Sequence, residues 1–278
     1  MSWGSETSKD ELSIISNCYV SGRIRTNDNY NQYGSNDGVH AGGILADSLW
    51  SLSITDCTTD VELYSSNWIG GIVGNYRAYR SEKAEIRNCT SNGTITGRYE
   101  VGGISAEAYG GKIINCTSNC DIIGKIGTGS NDDYCKFIGG ITGYQGYGRT
   151  IMQNCHATGD ITINGESGEV GGLLGFAVTI NMDNCSSTGN ITSNTDVNCI
   201  EGLIGELYYD SSNLSRCSNS GNVTFVNSGS AYYYGKRFGV IRTADQSTVS
   251  LEECQNTGES TATEDVGHYI IAEYSFNY

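Results

Sequence analysis

Proline is absent from the 278 residues. A chain that never gives up a backbone N–H donor suits a structure in which each strand must donate to neighbours on both sides. Basic side chains are scarce, with 16 Lys and Arg against 31 Asp and Glu and a net charge of −15. That sign leaves no basic face to neutralise phosphates, so nucleic acid is not expected as a partner. Histidine and methionine occur only three times each. No Cys-x-x-Cys, HExxH or Gly-x-Ser-x-Gly is found, so neither a metal, a cofactor nor a catalytic nucleophile is expected. Long apolar runs are missing too. The longest, Val170 to Met182, is broken by Thr179 and Asn181 and falls short of the roughly 18 residues of a membrane span, so no membrane insertion is expected. The first 13 residues lack the basic and apolar regions of a signal peptide. What is plentiful is glycine, 38 residues, together with 27 isoleucines against 11 leucines and 19 tyrosines, a bias toward strand.

Self-similarity organises the whole chain. Eight segments share one pattern: ISNCYVSGRI, ITDCTTDVEL, IRNCTSNGTI, IINCTSNCDI, MQNCHATGDI, MDNCSSTGNI, LSRCSNSGNV and LEECQNTGES. Their cysteines are Cys18, Cys57, Cys89, Cys116, Cys155, Cys185, Cys217 and Cys254, spaced by 27 to 39 residues. Three positions before each cysteine stands an apolar residue, and six positions after it stands another in all but the last copy, where it is Ser260. A second landmark lies between successive cysteines: AGGILA at 41–46, IGGIVG at 69–74, VGGISA at 101–106, IGGITG at 138–143, VGGLLG at 170–175 and IEGLIG at 200–205. Decayed copies follow at 237–242 and 266–271. Length varies mainly at one place, between the Gly-x-Ile segment and the next Gly-Gly, as in a solenoid whose insertions leave from one corner. Three short apolar segments per repeat predict three strands, each pairing with its counterpart in the next coil. The expected fold is therefore all-β: a parallel β-solenoid of about eight triangular coils, forming a single domain. Residues 1–11 are expected as an N-terminal cap or tail, 12–271 as repeats and 272–278 as a C-terminal tail, because exposed end strands must be blunted.

At GGIVG, GGITG, GGLLG and the degenerate EGLIG, the chain resembles the GLUG-motif repeats of bacterial surface proteins. The likeness extends over about residues 12 to 271. The resemblance implies a right-handed β-helix in an adhesin, in the stalk of a surface protein or in a non-catalytic part of an immunoglobulin-A-type metallopeptidase. It brings no catalytic residues with it, and it places the chain at a cell surface or in a secreted protein.

The recurring cysteines are expected to form an inward column of free, buried thiols behaving as small apolar side chains. Cys120, Cys135 and Cys199 fall outside that column, and a 120–135 bridge is conceivable from their positions. Asparagine precedes the cysteine at 17, 88, 115, 154 and 184. Its expected role is a turn or ladder bond to the adjacent coil, although Asn88, Asn115 and Asn184 also open glycosylation sequons. Asp60, Asp121 and Asp160 do not read as one column, and adjacent carboxylates at 132–133 and 252–253 face opposite ways on a strand. Binding is sought instead on the long insertions at 26–40, 125–137 and 225–238, since loops on a rigid scaffold carry recognition. Their tyrosines Tyr30, Tyr33, Tyr134, Tyr232, Tyr233 and Tyr234 are the candidate ligand-binding residues, for a glycan or a protein surface. Asn27-Asp28-Asn29 and Asn131-Asp132-Asp133 supply oxygen donors of the kind calcium takes, without matching a calcium-loop pattern. Tyr76, Tyr109, Tyr144, Phe176 and Tyr208, just after the glycine motif, are expected to stack at a corner. The leading expectation is a non-enzymatic adhesin or stalk module, with self-association through the solenoid ends. The alternatives are a polysaccharide-degrading β-helix enzyme, which would need carboxylates converging in a groove, and a purely structural fibre segment.

Overall fold

The computed structural model describes residues 12–26, 39–48, 52–65, 67–78, 83–125, 134–195, 197–208, 211–225, 237–238, 241–243, 248–262, 267–268 and 271–273. Among these there is no helix, and equivalent strands of successive repeats pair in parallel. One repeat shows the circuit. Ile69–Gly70 lies in a first sheet (C), Val73–Arg77 in a second (D), Glu85–Arg87 in a third (A) and Thr90–Gly97 in a fourth (B). Sheets A and D have eight strands each, sheet C six and sheet B twelve. A two-stranded sheet pairs Arg237–Phe238 with Gly267–His268. The chain is thus all-β and built as a β-solenoid. The coil has four strands where three were expected, because the Gly-Gly landmark folds its segment into two.

Register follows the repeat. In sheet A, Ile15, Ile54, Ile86, Ile113, Met152, Met182, Leu214 and Leu251 occupy one row. The residue before each column cysteine turns the chain from sheet A into sheet B with a positive φ of 51–56°. That left-handed conformation explains the asparagines, whose short polar side chain tolerates it. It is also held by Asp56, Arg216 and Glu253. The asparagine side chains link coil to coil as expected. Asn88 donates to Asp56 at 2.9 Å, Asn115 to Asn88 at 3.1 Å, Asn154 to Asn115 at 2.9 Å and Asn184 to Asn154 at 2.8 Å.

The interior is divided into two apolar columns. One holds the cysteine column with Ile54, Ile86, Ile113, Ile72, Ile104 and Leu173. The other holds Leu63, Ile95, Ile122, Val101, Ile138 and Cys120. Between them, the residue two positions after the column cysteine meets the second glycine of the landmark in six coils, from Thr59 to Asn219. A methyl group at Gly71 would collide with Ser91 Oγ, one at Gly103 with Ser118 Oγ and one at Gly172 with Ser187 Oγ. Around Gly71 the seam is polar and satisfied: Thr59 Oγ1 bonds to the Gly71 carbonyl at 3.1 Å and to Ser91 Oγ at 3.0 Å. Glycine recurs there because two backbones and a hydroxyl must close on the same space.

The twelve strands of sheet B arise because its strand is cut in the later coils. Asp121 Oδ1 accepts the Asp160 backbone N–H at 3.1 Å, and Asp160 Oδ1 that of Asn190 at 2.7 Å. Asn190 Oδ1 then accepts from Asn222 at 3.1 Å and Asn222 Oδ1 from Glu259 at 2.9 Å. Asp121 and Asp160 therefore share one column, while Asp60 stands apart in register with Asn92 and Asn119, so the reading of the sequence holds for Asp60 alone. These side chains replace ladder bonds rather than line a groove.

Candidate functional site

The cysteine column is structural. Cys57, Cys89, Cys116, Cys155, Cys185 and Cys217 are buried, Cys18 and Cys254 partly so, and every described cysteine is a free thiol. Each thiol has partners that the sequence did not reveal. Cys155 Sγ lies 3.3 Å from the Gln153 carbonyl of its own coil and 3.3 Å from the Ile113 carbonyl of the preceding one. Burial holds the Cys155 and Cys199 thiols protonated, well above the ordinary range, and pushes Cys120 up to about 11. Cys120 lies 3.0 Å from Ser91 Oγ. A 120–135 bridge is not formed, and the side chain of Cys135 lies outside the described residues.

Of the candidate ligand residues, Tyr30, Tyr33, Tyr232, Tyr233 and Tyr234 lie outside the described residues. Tyr134 opens the sheet C strand Tyr134–Gly139, and its side chain is not among those described. The candidate calcium segments at 27–29 and 131–133 also lie outside. Among the described residues no group of three or more His, Cys, Asp and Glu could hold a metal ion. The three insertions leave sheet B at the same end of its strands, after Arg25, Lys125 and Phe225; the first two lead into sheet C, the third to Arg237–Phe238 of the two-stranded sheet.

In sheets C and D the structure builds a feature of its own. The Gly-Gly fold turns sheets C and D toward each other, so that side chains facing away from both apolar columns meet in an inner corner. The sheet C column runs Glu100, Phe137, Glu169, Cys199. The sheet D column runs Asp47, Asn75, Glu107, Tyr144, Phe176, Glu206. Each rung joins the two ends of one landmark octapeptide: His40 with Asp47, Trp68 with Asn75, Glu100 with Glu107, Phe137 with Tyr144, Glu169 with Phe176 and Cys199 with Glu206.

The rungs divide by chemistry. His40 Nδ1 lies 3.4 Å from Asp47, and its ring meets Trp68 edge-on at 4.9 Å. Glu100 and Glu107 are each only 6 % exposed. Burial first, and then the neighbouring Glu107, hold the Glu100 carboxyl well above the usual carboxylate range. Tyr109 donates its hydroxyl to Glu107 at 3.3 Å. The middle rungs are aromatic: Phe137 and Tyr144 stack at 5.2 Å, Tyr144 and Phe176 at 5.4 Å, with Tyr109 and Tyr208 flanking at 6.1 and 6.0 Å. Farther along, Glu169 is pushed up to about 8, chiefly by burial. Glu206 is raised by burial as well, although Arg242 stands 3.5 Å away and opposes the shift. The expected aromatic stack is therefore present for Tyr109, Tyr144, Phe176 and Tyr208. Tyr76 is not part of it: one register position on, it points into the core, fully buried, with its hydroxyl on the Leu52 carbonyl at 3.3 Å.

The stacked parallel sheets define the class, a β-solenoid repeat protein. More narrowly, the family model of the GLUG motif matches residues 66–96 and 166–192, so two coils of the chain are GLUG-motif repeats. Each match spans one circuit through sheets C, D, A and B, so one motif is one coil. No curated protein and no solved structure matches the chain.

Proposed function

We propose that this chain is a non-enzymatic module of a surface or secreted protein, of the adhesin or stalk type. In this reading it is a right-handed solenoid of about eight coils, the hand that parallel crossovers favour. It binds a glycan or a protein through one side and self-associates through its ends. The single observation that supports the side is that all three insertions leave the same end of sheet B. The insertions carry Tyr30, Tyr33, Tyr134 and Tyr232 to Tyr234 in sequence, and the aromatic rungs of the corner run along the neighbouring sheets C and D. Rings held in a row by a rigid sheet suit recognition, because little side-chain freedom is lost on binding. A glycan array probed with the wild type and with a Tyr232→Ala/Tyr233→Ala/Tyr234→Ala variant tests this. The expected result is a bound glycan that the folded variant loses; equal binding by both would remove the loop tyrosines from the site.

A polysaccharide-cleaving enzyme is the second reading, favoured by the meeting of Glu100 and Glu107 on one rung. Against it, glycosidic cleavage sets two carboxyls on either side of the scissile bond, about 5–10 Å apart, whereas these two share a buried rung. Release of reducing sugar from any polysaccharide, abolished by Glu107→Gln, would decide for the enzyme.

A further inference from the structure

We propose that the adjoining rungs Trp68–Asn75 and Glu100–Glu107 form a site for a primary alkylammonium group, the kind a lysine side chain of a protein partner presents. Three observations converge there. Two carboxyl groups meet in a corner that is almost closed to solvent, each residue 6 % exposed. Asn75, fully buried on the neighbouring rung of the same face, has no hydrogen-bond partner on either amide atom. Trp68 Nε1 faces the Glu100 carboxyl, and neither Trp68 Nε1 nor Glu100 Oε2 has a further partner. Buried polar atoms are normally satisfied, so an unpartnered buried amide beside a pair of enclosed carboxyls points to a group from outside.

The charge balance gives the sign of that group. In the same sheet D column, Glu206 has Arg242 3.5 Å away. The cation acting on Glu100 is Lys136, and it is shared, since it acts on Glu169 too. Lys136 also shows how an ammonium rests in this corner, its Nζ 5.3 Å from the Tyr99 ring and 5.0 Å from that of Phe137. Trp68, 6.3 Å from Tyr99, offers a like face one rung away. An ammonium carries three N–H donors. Glu100 Oε2, a Glu107 oxygen and the Asn75 carbonyl would accept them, leaving the Asn75 amide N–H and the Trp68 N–H to the remaining carboxylate lone pairs.

Titration calorimetry with Nα-acetyl-lysine methylamide tests the site, with its Nε-acetylated form and glucosamine as comparison arms. The wild type should bind the lysine compound saturably and neither of the others. Glu107→Gln should weaken it about tenfold or more, the loss of one charge-assisted hydrogen bond. Asn75→Ala should weaken it too, while Glu62→Gln on the outer face of sheet B should leave it unchanged, with folding of all variants checked by circular dichroism. No binding by the wild type, or undiminished binding by a folded Glu107→Gln variant, would overturn the site. Binding of glucosamine as tight as that of the lysine compound would overturn the assignment to lysine. The site does not involve the loop tyrosines, so its failure leaves the loop reading to its own test.

Discussion

At the scale of single residues, the turn before each cysteine shows how one backbone angle selects a side chain. Where asparagine fills the left-handed position, it serves both the local conformation and the bond to the next coil. Glu253 holds the same φ, 54°, on an exposed surface. Replacing Glu253 with Asn should therefore stabilise the fold by about 0.5–1 kcal/mol in urea unfolding, since a longer side chain there carries the left-handed penalty. The cysteines teach a second lesson. An apolar column would make Cys155→Ser costly through an unpaired hydroxyl, but the Gln153 and Ile113 carbonyls that hold the thiol can accept from a serine hydroxyl too. The expected cost is about 1 kcal/mol, from the lost contacts of sulfur rather than from an orphaned donor. A loss above about 3 kcal/mol would mean that the carbonyls do not accept the hydroxyl. In the native protein the column thiols Cys57, Cys89, Cys116, Cys155, Cys185 and Cys217 should resist labelling until unfolding, because burial closes them to the reagent.

At the scale of the strand and turn, the Gly-Gly landmark sets the shape of the coil. Its second glycine closes the polar seam between the two apolar columns, so Gly103→Ala should destabilise by about 1–3 kcal/mol or more in the same assay. Trimming Ser118 to Ala should not restore it, because the Gly140 carbonyl would still collide with the added methyl group. This seam and the cysteine row were legible in the sequence, since a residue that must fit one space recurs in one place. The corner was not. Its rungs are His–Asp, Trp–Asn, Glu–Glu, Phe–Tyr, Glu–Phe and Cys–Glu, so no residue type recurs. The signal was positional: two residues before the first glycine position of the landmark and five after it, the two ends of the octapeptide that the Gly-Gly fold brings face to face. Asp121 and Asp160 were misread for a related reason. Both stand five residues after a column cysteine, but Thr94 and Asn190 hold that place in adjoining coils and hide the column.

At the scale of the whole molecule, the corner should govern how stability responds to pH. Glu169 titrates near 8 in the folded protein, against 4.5 for a free glutamate, and Glu100 and Glu206 are shifted in the same direction. A folded state that binds a proton more tightly than the unfolded chain loses stability as pH rises from the unfolded to the folded value. The melting temperature should therefore fall between pH 4.5 and pH 8, and Glu169→Gln should flatten that fall. Part of Glu169 reaches solvent, so the effect of this one residue will be modest. A melting temperature that rises through that window would show that the corner carboxyls are not enclosed.

The account turns on the corner, where sheet C and sheet D bring the ends of each octapeptide together. The most direct measurement is oxidative cross-linking of a Glu100→Cys/Glu107→Cys double variant, read by mass spectrometry of the native protein. The two new thiols should close into an intramolecular disulfide while the buried column cysteines stay reduced. Two separate free thiols at positions 100 and 107, each open to labelling in the folded protein, would contradict it.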